Sequence, residues 1–189
     1  MNKKILLHCC CAPCSVSCIE PLRDAGVTPV GFWYNPNIHP FKEYEARRDC
    51  LIDYAKAVGM ELIVAENYGI REFTTAVCPD IDARCNYCYA SRLEKTAKYA
   101  KEHGFDGFTS TLFASVYQNH ELLKEIAEKS AEKYGTEFFY IDFRPNFRAG
   151  NQKARDIGLY MQKYCGCIYS EEERYQKQIL RDKEKFILK

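Results

Sequence analysis

Cysteines at metal-ligand spacing dominate the chemistry open to this chain. Cys9-Cys10-Cys11-Ala12-Pro13-Cys14 forms a first island, Cys85-Asn86-Tyr87-Cys88 a second and Cys165-Gly166-Cys167 a third. Thiols gathered in this way bind metal or exchange electrons. The two-residue gap of the second island lets both thiolates reach one metal centre. The total of 11 is odd, so the cysteines cannot all pair within one chain, and neighbours such as Cys9-Cys10-Cys11 make poor structural disulfides. Cys18, Cys50 and Cys78 are read as small buried hydrophobes.

The choice of metal follows from number and place. A structural zinc takes four ligands and normally sits in a small lobe of its own. Here the thiols are too many for one zinc, and they fall at the ligand-binding edge of the sheet expected below. An iron–sulfur cluster with spare thiols fits better, the spare thiols holding a second metal or acting as redox partners. In the third island Gly166 permits a tight turn. Cys165 and Cys167 are then either a reversible dithiol that supplies electrons or two more ligands, the dithiol being preferred.

The elements that must position these thiols alternate along the chain. Strands are expected at Ile5 to Leu7, Thr28 to Tyr34, Glu61 to Ala65, Gly107 to Leu112 and Glu137 to Asp142. Helices are expected at Ser15 to Asp24, Phe41 to Val58, Tyr87 to Glu102, Gln118 to Tyr134, Lys153 to Lys163 and Glu171 to Phe186, with Ile70 to Ala83 irregular. Alternating strands and helices give an α/β fold: a five-stranded parallel sheet covered by helices on both faces, doubly wound, with a helical C-terminal extension. The whole chain, 1–189, is read as one domain, with no repeat, low-complexity tract or linker.

Ligands of such sheets bind beyond the carboxyl ends of the strands. The first island follows strand one, Asn35-Pro36-Asn37-Ile38-His39-Pro40 follows strand two, Thr109-Ser110-Thr111 ends strand four and Arg144 follows strand five. All are expected to face one crevice. A nucleotide site would need a glycine- or serine-rich turn after strand one, and thiols and a proline stand there instead. The helix N-terminus at that point lowers thiol pKa values and stabilises a thiolate-bound cluster.

Composition bounds the rest. With 47% hydrophobic residues among 189, a core is affordable without disulfide staples. After Met1-Asn2-Lys3-Lys4 the apolar run is only Ile5-Leu6-Leu7, too short for an export signal, and no stretch is long enough to span a membrane. The expected location is the cytoplasm, where cysteine clusters usually mean metal or redox chemistry. A net charge of +1 excludes binding nucleic acid through bulk charge alone. One local stretch holds Arg144, Arg148, Lys153, Arg155 and Lys163 against Asp156, interleaved with Phe143, Phe147, Tyr160 and Tyr164. It reads as a solvated helix with core aromatics, or as a surface for a phosphate backbone and stacked bases.

Five segments taken together carry a resemblance. They are His8 to Ser15, Tyr34-Asn35-Pro36-Asn37-Ile38-His39-Pro40, the Cys85/Cys88 pair followed by Arg92-Leu93, Phe108 to Leu112, and Tyr164-Cys165-Gly166-Cys167-Ile168-Tyr169-Ser170. Together they resemble the cobalamin-independent epoxyqueuosine reductase, the QueH family, from Ile5 to about Ser170. The family pattern has Cys10, Cys11 and Cys14 in the first island, so Cys9 is an extra thiol. Ser115-Val116-Tyr117-Gln118 departs from the usual Ser-Pro-Gln.

The resemblance implies an oxidoreductase of tRNA processing that carries out the last step of queuosine biosynthesis. It would deoxygenate the epoxide of epoxyqueuosine at the tRNA wobble position, giving the alkene and water, on a HUP-like sheet. Cys10, Cys11, Cys85 and Cys88 would ligate a [4Fe-4S] iron–sulfur cluster, with Cys14 as a further ligand and an additional iron ion as an option. Cys165 and Cys167 would cycle as a redox-active disulfide or complete a second metal site. His8 would protonate the oxygen or orient a thiolate. Tyr34, Asn35, Asn37, His39, Gln118 and Arg144 would bind substrate, His39 alternatively shaping the loop beside Pro40. Partners would be tRNA carrying epoxyqueuosine and an electron donor, with no membrane. The competing readings are a metal-free thiol–disulfide oxidoreductase, a zinc-stabilised tRNA-binding module and, disfavoured by the missing phosphate loop, an ATP-dependent tRNA thiolation enzyme.

Overall fold

The structure is a computed structural model that describes residues 3–65 and 68–186. Its strands are β1 (Lys3–His8), β2 (Val27–Trp33), β3 (Leu62–Val64), β4 (Gly107–Ser110) and β5 (Glu137–Phe138). They form one parallel sheet in the order β3-β2-β1-β4-β5. The apolar middle of β1, Ile5-Leu6-Leu7, is fully buried, as a central parallel strand must be. The two edges are strands of only three and two residues, too short to template pairing with another chain.

The helices are α1 (Ala12–Asp24), α2 (Phe41–Ala57), α3 (Ile70–Val77), α4 (Arg84–Glu102), α5 (His120–Tyr134), α6 (Phe147–Asp156) and α7 (Ile168–Lys185). The strand order reverses direction between β1 and β4. Right-handed crossovers therefore put α1 and α2 on one face and α4 and α5 on the other. α1 packs with α2 and α6, and α4 packs with α5. The doubly wound sheet expected from the sequence is thus the one observed. Its switch point, the crevice where ligands of such sheets bind, lies between the carboxyl ends of β1 and β4.

Several boundaries differ from expectation, each for a local reason. α1 begins at Ala12 rather than Ser15, because Pro13 has the fixed φ of a first turn and no N–H to waste there. Cys14 therefore lies inside the helix. α4 begins at Arg84 rather than Tyr87 and takes in Cys85. The segment 70–83 is not irregular throughout: α3 forms with Phe73 and Val77, four residues apart, on its buried side. β4 stops at Ser110, whose hydroxyl accepts from Leu112 N–H and starts a 3₁₀ turn over Thr111–Ala114. With β4 turned aside, β5 has nothing to pair with past Phe139 and ends far short of Asp142. The helix expected at Lys153 to Lys163 lies instead at Phe147–Asp156. Gly158, at φ 73°, takes the left-handed conformation that ends it.

The core joins Phe32, Trp33, Phe108, Phe113 and Phe143 to the aliphatic residues of β1 and α1. Each such side chain contributes about 1.5–3 kcal/mol when fully buried. The Trp33 indole donates to the buried Tyr44 hydroxyl at 3.0 Å, so its one polar atom is satisfied. Cys18 lies in this core as expected, but Cys78 is exposed at the end of α3 and Cys50 is half-buried, accepting from Tyr160 N–H. α7 contributes no buried residue and forms the C-terminal extension. None of the described helices is long and apolar enough to cross a membrane.

α6 docks on α1 by close backbone approach at Gly150. A β-carbon there would stand 2.1 Å from the Ser17 hydroxyl and 3.1 Å from its Cα. Gly150→Ala is therefore expected to lower unfolding free energy by about 1–3 kcal/mol in urea titrations, through overpacking. An unchanged midpoint would show that α6 is loosely docked.

Candidate metal and redox centre

Each cysteine island stands at a helix N-terminus. Cys11 is the N-cap of α1, Cys85 lies in the first turn of α4, and Cys167 is the N-cap of α7. Unsatisfied backbone N–H groups and the positive end of the helix dipole favour thiolates at such places. Cys167 shows this directly: its sulfur accepts from Ser170 N–H at 3.4 Å.

At the switch point the sulfurs of Cys10, Cys11 and Cys14 lie within 4.8 Å of one another, Cys10 and Cys11 being 3.8 Å apart. All three residues are buried. The two central strands meet here: Cys10 N–H donates to the Thr111 hydroxyl at 3.0 Å, and that hydroxyl donates to Cys10 Sγ at 3.3 Å. On the other side Gln162 Nε2 donates to Cys11 Sγ at 3.1 Å. Hydrogen bonds from Cys11, Cys14 and Thr111 hold Cys10 well below the usual thiol range. Burial keeps Cys11 high, and the hydrogen bonds it shares with Cys10 and Cys11 keep Cys14 high. Three soft donors, buried and already hydrogen-bonded, fit a thiolate-bound metal centre. Cys9 is apart from them: its thiol donates to Leu7 C=O, and burial pushes it up to about 12.

Cys85 and Cys88 do not join this trio. Among the described residues no other three His, Cys, Asp or Glu donors gather as tightly. Helix α4 instead places Cys85 and Cys88 within Coulombic reach of Cys165 and Cys167, and Cys88 packs with Cys167 against Phe73 and Val77. Burial pushes Cys88 up to about 12. The thiols therefore form two groups, and a buried cation links them. Arg92, one turn after Cys88, donates to its C=O at 2.9 Å and its sulfur at 3.0 Å, and lies within Coulombic reach of Cys10 and Cys165.

A second buried cation fixes the third island. Arg47 pairs with Glu43 through Nε at 2.7 Å and donates to Cys165 C=O at 2.9 Å and Tyr164 C=O at 3.0 Å. It also lies within Coulombic reach of Cys11 and Cys10. Tyr164 hydroxyl donates to His39 C=O at 2.6 Å, and His39 N–H donates to Gly166 C=O at 2.8 Å. Gly166 has φ 148°, and a β-carbon there would crowd Ile38 at 3.2 Å and Arg47 at 3.4 Å. Glycine is therefore required by conformation and by close approach. Cys165 itself is exposed, and Gln118 Nε2 donates to its sulfur at 3.3 Å while Gln118 Oε1 accepts from Tyr89 hydroxyl at 2.7 Å.

The remaining residues named from sequence divide by exposure. His8 is fully buried beside Ser110, its register partner. Its Nε2 faces Tyr34 C=O at 3.2 Å, which can only accept, so Nε2 carries the hydrogen and Nδ1 accepts from Ser110 hydroxyl at 2.9 Å. Burial, with Arg92, lowers it to about 4. A neutral imidazole with both nitrogens engaged orients the strand ends and is not placed to protonate an oxygen. Asn35, Asn37 and His39 are likewise buried. Asn35 Nδ2 donates to Cys9 C=O at 2.9 Å, and His39 Nε2 stands 3.0 Å from Pro36 C=O, so both shape the loop after β2. Tyr34 is half-buried, with Lys95 Nζ 5.7 Å from its ring centre. Arg144 is exposed and paired with Asp142 at 2.7 Å, and Lys153 pairs with Glu20 at 2.6 Å.

Sequence reasoning gave no role to Arg47, Glu43, Tyr89 or Gln162; it placed Thr111 at the crevice and Arg92 in a motif without saying what either side chain does. Arg92 had a legible signal, its four-residue helical spacing from Cys88. Arg47 had none, since 118 residues separate it from the carbonyl it holds.

Arg47→Met leaves Glu43 buried without its cation. It is expected to cost about 3–5 kcal/mol of stability and to speed alkylation of Cys165, with Glu43→Gln in the same chain restoring part of the stability. The His8 shift predicts a pH effect of known sign. The folded value is below the unfolded one of about 6.5, so the contribution is present above that pH and is lost as pH falls towards 4. His8→Gln is expected to remove on the order of 3 kcal/mol of acid sensitivity across that window, read by denaturant titration at a series of pH values.

Comparison with known proteins places this architecture. The sequence model of the family described as epoxyqueuosine reductase QueH matches residues 5–173. The epoxyqueuosine reductase QueH of Dehalococcoides mccartyi is 38% identical over 177 residues, covering 94% of this chain and 97% of that protein. The one from Thermotoga maritima is 36% identical over 182 residues, covering 92% and 93%. Among solved structures, the U34-tRNA thiolase NcsA from Methanococcus maripaludis, with its [4Fe-4S] cluster, has a TM-score of 0.58 at 14% identity, covering 97% of this chain and 67% of that one. A predicted tRNA methyltransferase subunit from Methanocaldococcus jannaschii has a TM-score of 0.55 at 12% identity, covering 95% and 88%. These two share the fold. The family match over most of the chain, and relatives alike over nearly their whole length, mean that this protein belongs to the epoxyqueuosine reductase QueH family.

Proposed function

We propose that this chain reduces the epoxide of epoxyqueuosine in tRNA at an iron–sulfur centre held by its buried thiols. The observation that carries the reading is the Cys10, Cys11 and Cys14 group at the sheet's switch point, in a chain of this family. Cys10, Cys11 and Cys14 would hold the centre from the β1 side, and Cys85 and Cys88 are the ligands proposed from α4, beside Arg92. When bound, such a centre would offer a Lewis acid for the oxygen and a relay for electrons.

The protein's own residues do the rest. Turning the epoxide into an alkene and water takes two electrons and two protons. A dithiol supplies both when it closes to a disulfide, and Cys165 and Cys167 are the pair proposed for this step. An electron donor then returns the disulfide to the dithiol. Arg47 and Gly166 hold that pair in place, and Gln118, steadied by Tyr89 against the exposed Cys165, is the residue proposed to meet substrate there. Thr111, Gln162 and the two buried arginines offset the charge of the thiolates.

After anaerobic purification, iron and sulfide analysis with electron paramagnetic resonance is expected to find a cluster that Cys10→Ser and Cys11→Ser each lose. Stoichiometric zinc with no iron would sink the cluster. On epoxyqueuosine-containing tRNA, Cys165→Ser with Cys167→Ser is expected to lower multiple turnover by at least about a hundredfold, the scale of losing a catalytic redox or proton-transfer group. Full turnover by that variant removes the dithiol from the reaction.

A further inference from the structure

The loop between the 3₁₀ turn Thr111–Ala114 and α5 carries a tyrosine that the chemistry above does not use. Tyr117 is 84% exposed. A tyrosine ring presents a large apolar surface, so this exposure forgoes burial that the fold would otherwise gain. The backbone under it is held on both sides. Tyr117 N–H donates to Ser115 hydroxyl at 3.3 Å, and Asn119 N–H donates to Tyr89 hydroxyl at 3.3 Å. Its neighbour Gln118 touches Cys165 Sγ, and Thr111, which opens the preceding 3₁₀ turn, touches Cys10 Sγ. The loop that carries the ring is thus held at the rim of the site. The ring meets Phe147 edge-on, with centroids 5.9 Å apart and planes at 79°. That contact sets the ring's tilt while most of its surface stays open.

The surrounding charge selects the ligand. In the chain Phe147 follows Arg144 by three residues and directly precedes Arg148, both arginines exposed. Arg144 is held by Asp142, and Arg148 has no ion pair among the described residues. An open aromatic face beside a cation is how proteins bind unpaired nucleotides, the ring stacking on a base and the cation meeting a phosphate. We propose that Tyr117 is the stacking platform for an anticodon-loop nucleotide next to the modified base, with Arg148 on the adjoining phosphate. This deepens the functional reading above and rests on it.

The test uses the full-length, anaerobically purified protein and an anticodon stem-loop RNA carrying epoxyqueuosine. Tyr117→Ala is expected to weaken binding roughly tenfold while leaving the salt dependence unchanged, and Tyr117→Phe and Tyr117→Trp to bind within about twofold of the parent. In turnover the loss appears in KM rather than in kcat. Arg148→Ala is expected to flatten the slope of log affinity against log salt by about one. Tyr117→Ala binding as the parent does, while the parent binds and turns over the RNA, overturns the platform and leaves the reductase reading intact. Slower reduction with unchanged RNA affinity also overturns it, pointing to docking of the electron donor. A parent that neither binds nor reduces the RNA overturns both.

Discussion

Thiolates can be buried at the edge of a sheet only if their negative charge is met by fixed positive charge and hydrogen bonds. An unpaired thiolate in a low-dielectric interior is too costly to persist. This fold meets the demand in three ways. It puts each cysteine island at a helix N-terminus, it aims the Thr111 hydroxyl and Gln162 amide at sulfur, and it buries two guanidinium groups among the thiols. Arg92 and Arg47 are in turn anchored on carbonyls of Cys88, Tyr164 and Cys165. The cations and the cysteines therefore fix one another, and the positions of α2, α4 and the chain before α7 follow from that arrangement.

The same constraint explains why residues that look like ligand contacts are buried. The loop after β2 lies beneath the third island, and its Asn35, Asn37 and His39 face protein. Its backbone and that of residues 164–166 hold each other through the Tyr164 and His39 hydrogen bonds. One consequence is chemical. Cys167 is buried as a helix cap while Cys165 is exposed under Gln118, so the pair presents a single sulfur to the crevice.

Most of the fold was legible because it depends on short-range pattern. Apolar runs between glycine and proline punctuation gave every strand its place, and alternation with helices gave the parallel sheet. Errors arose where a neighbour decided. β4 bends away at a serine cap, β5 ends for want of a partner, and α6 lies upstream of its expected span because Gly150 lets it pack closely on Ser17 of α1. The apolar face of α3 amounts to two residues, Phe73 and Val77, which gain meaning only once Cys88 and Cys167 pack against them.

For the site, the sequence alone determined the chemistry: soft thiols, their spacing, and their position after the first strand at the ligand-binding edge. It could do so because cysteine spacing within one turn or loop is a local property, and because the family motifs are themselves local. The tertiary structure alone decided how the islands group. Cys10, Cys11 and Cys14 lie together, and Cys85 and Cys88 lie towards Cys165 and Cys167, because α4 and α7 start side by side. It also decided that His8 is neutral and occupied, and that Arg47 on α2 clamps a loop 118 residues away. These outcomes rest on burial and on contacts between distant segments, and neither quantity exists until the chain has folded.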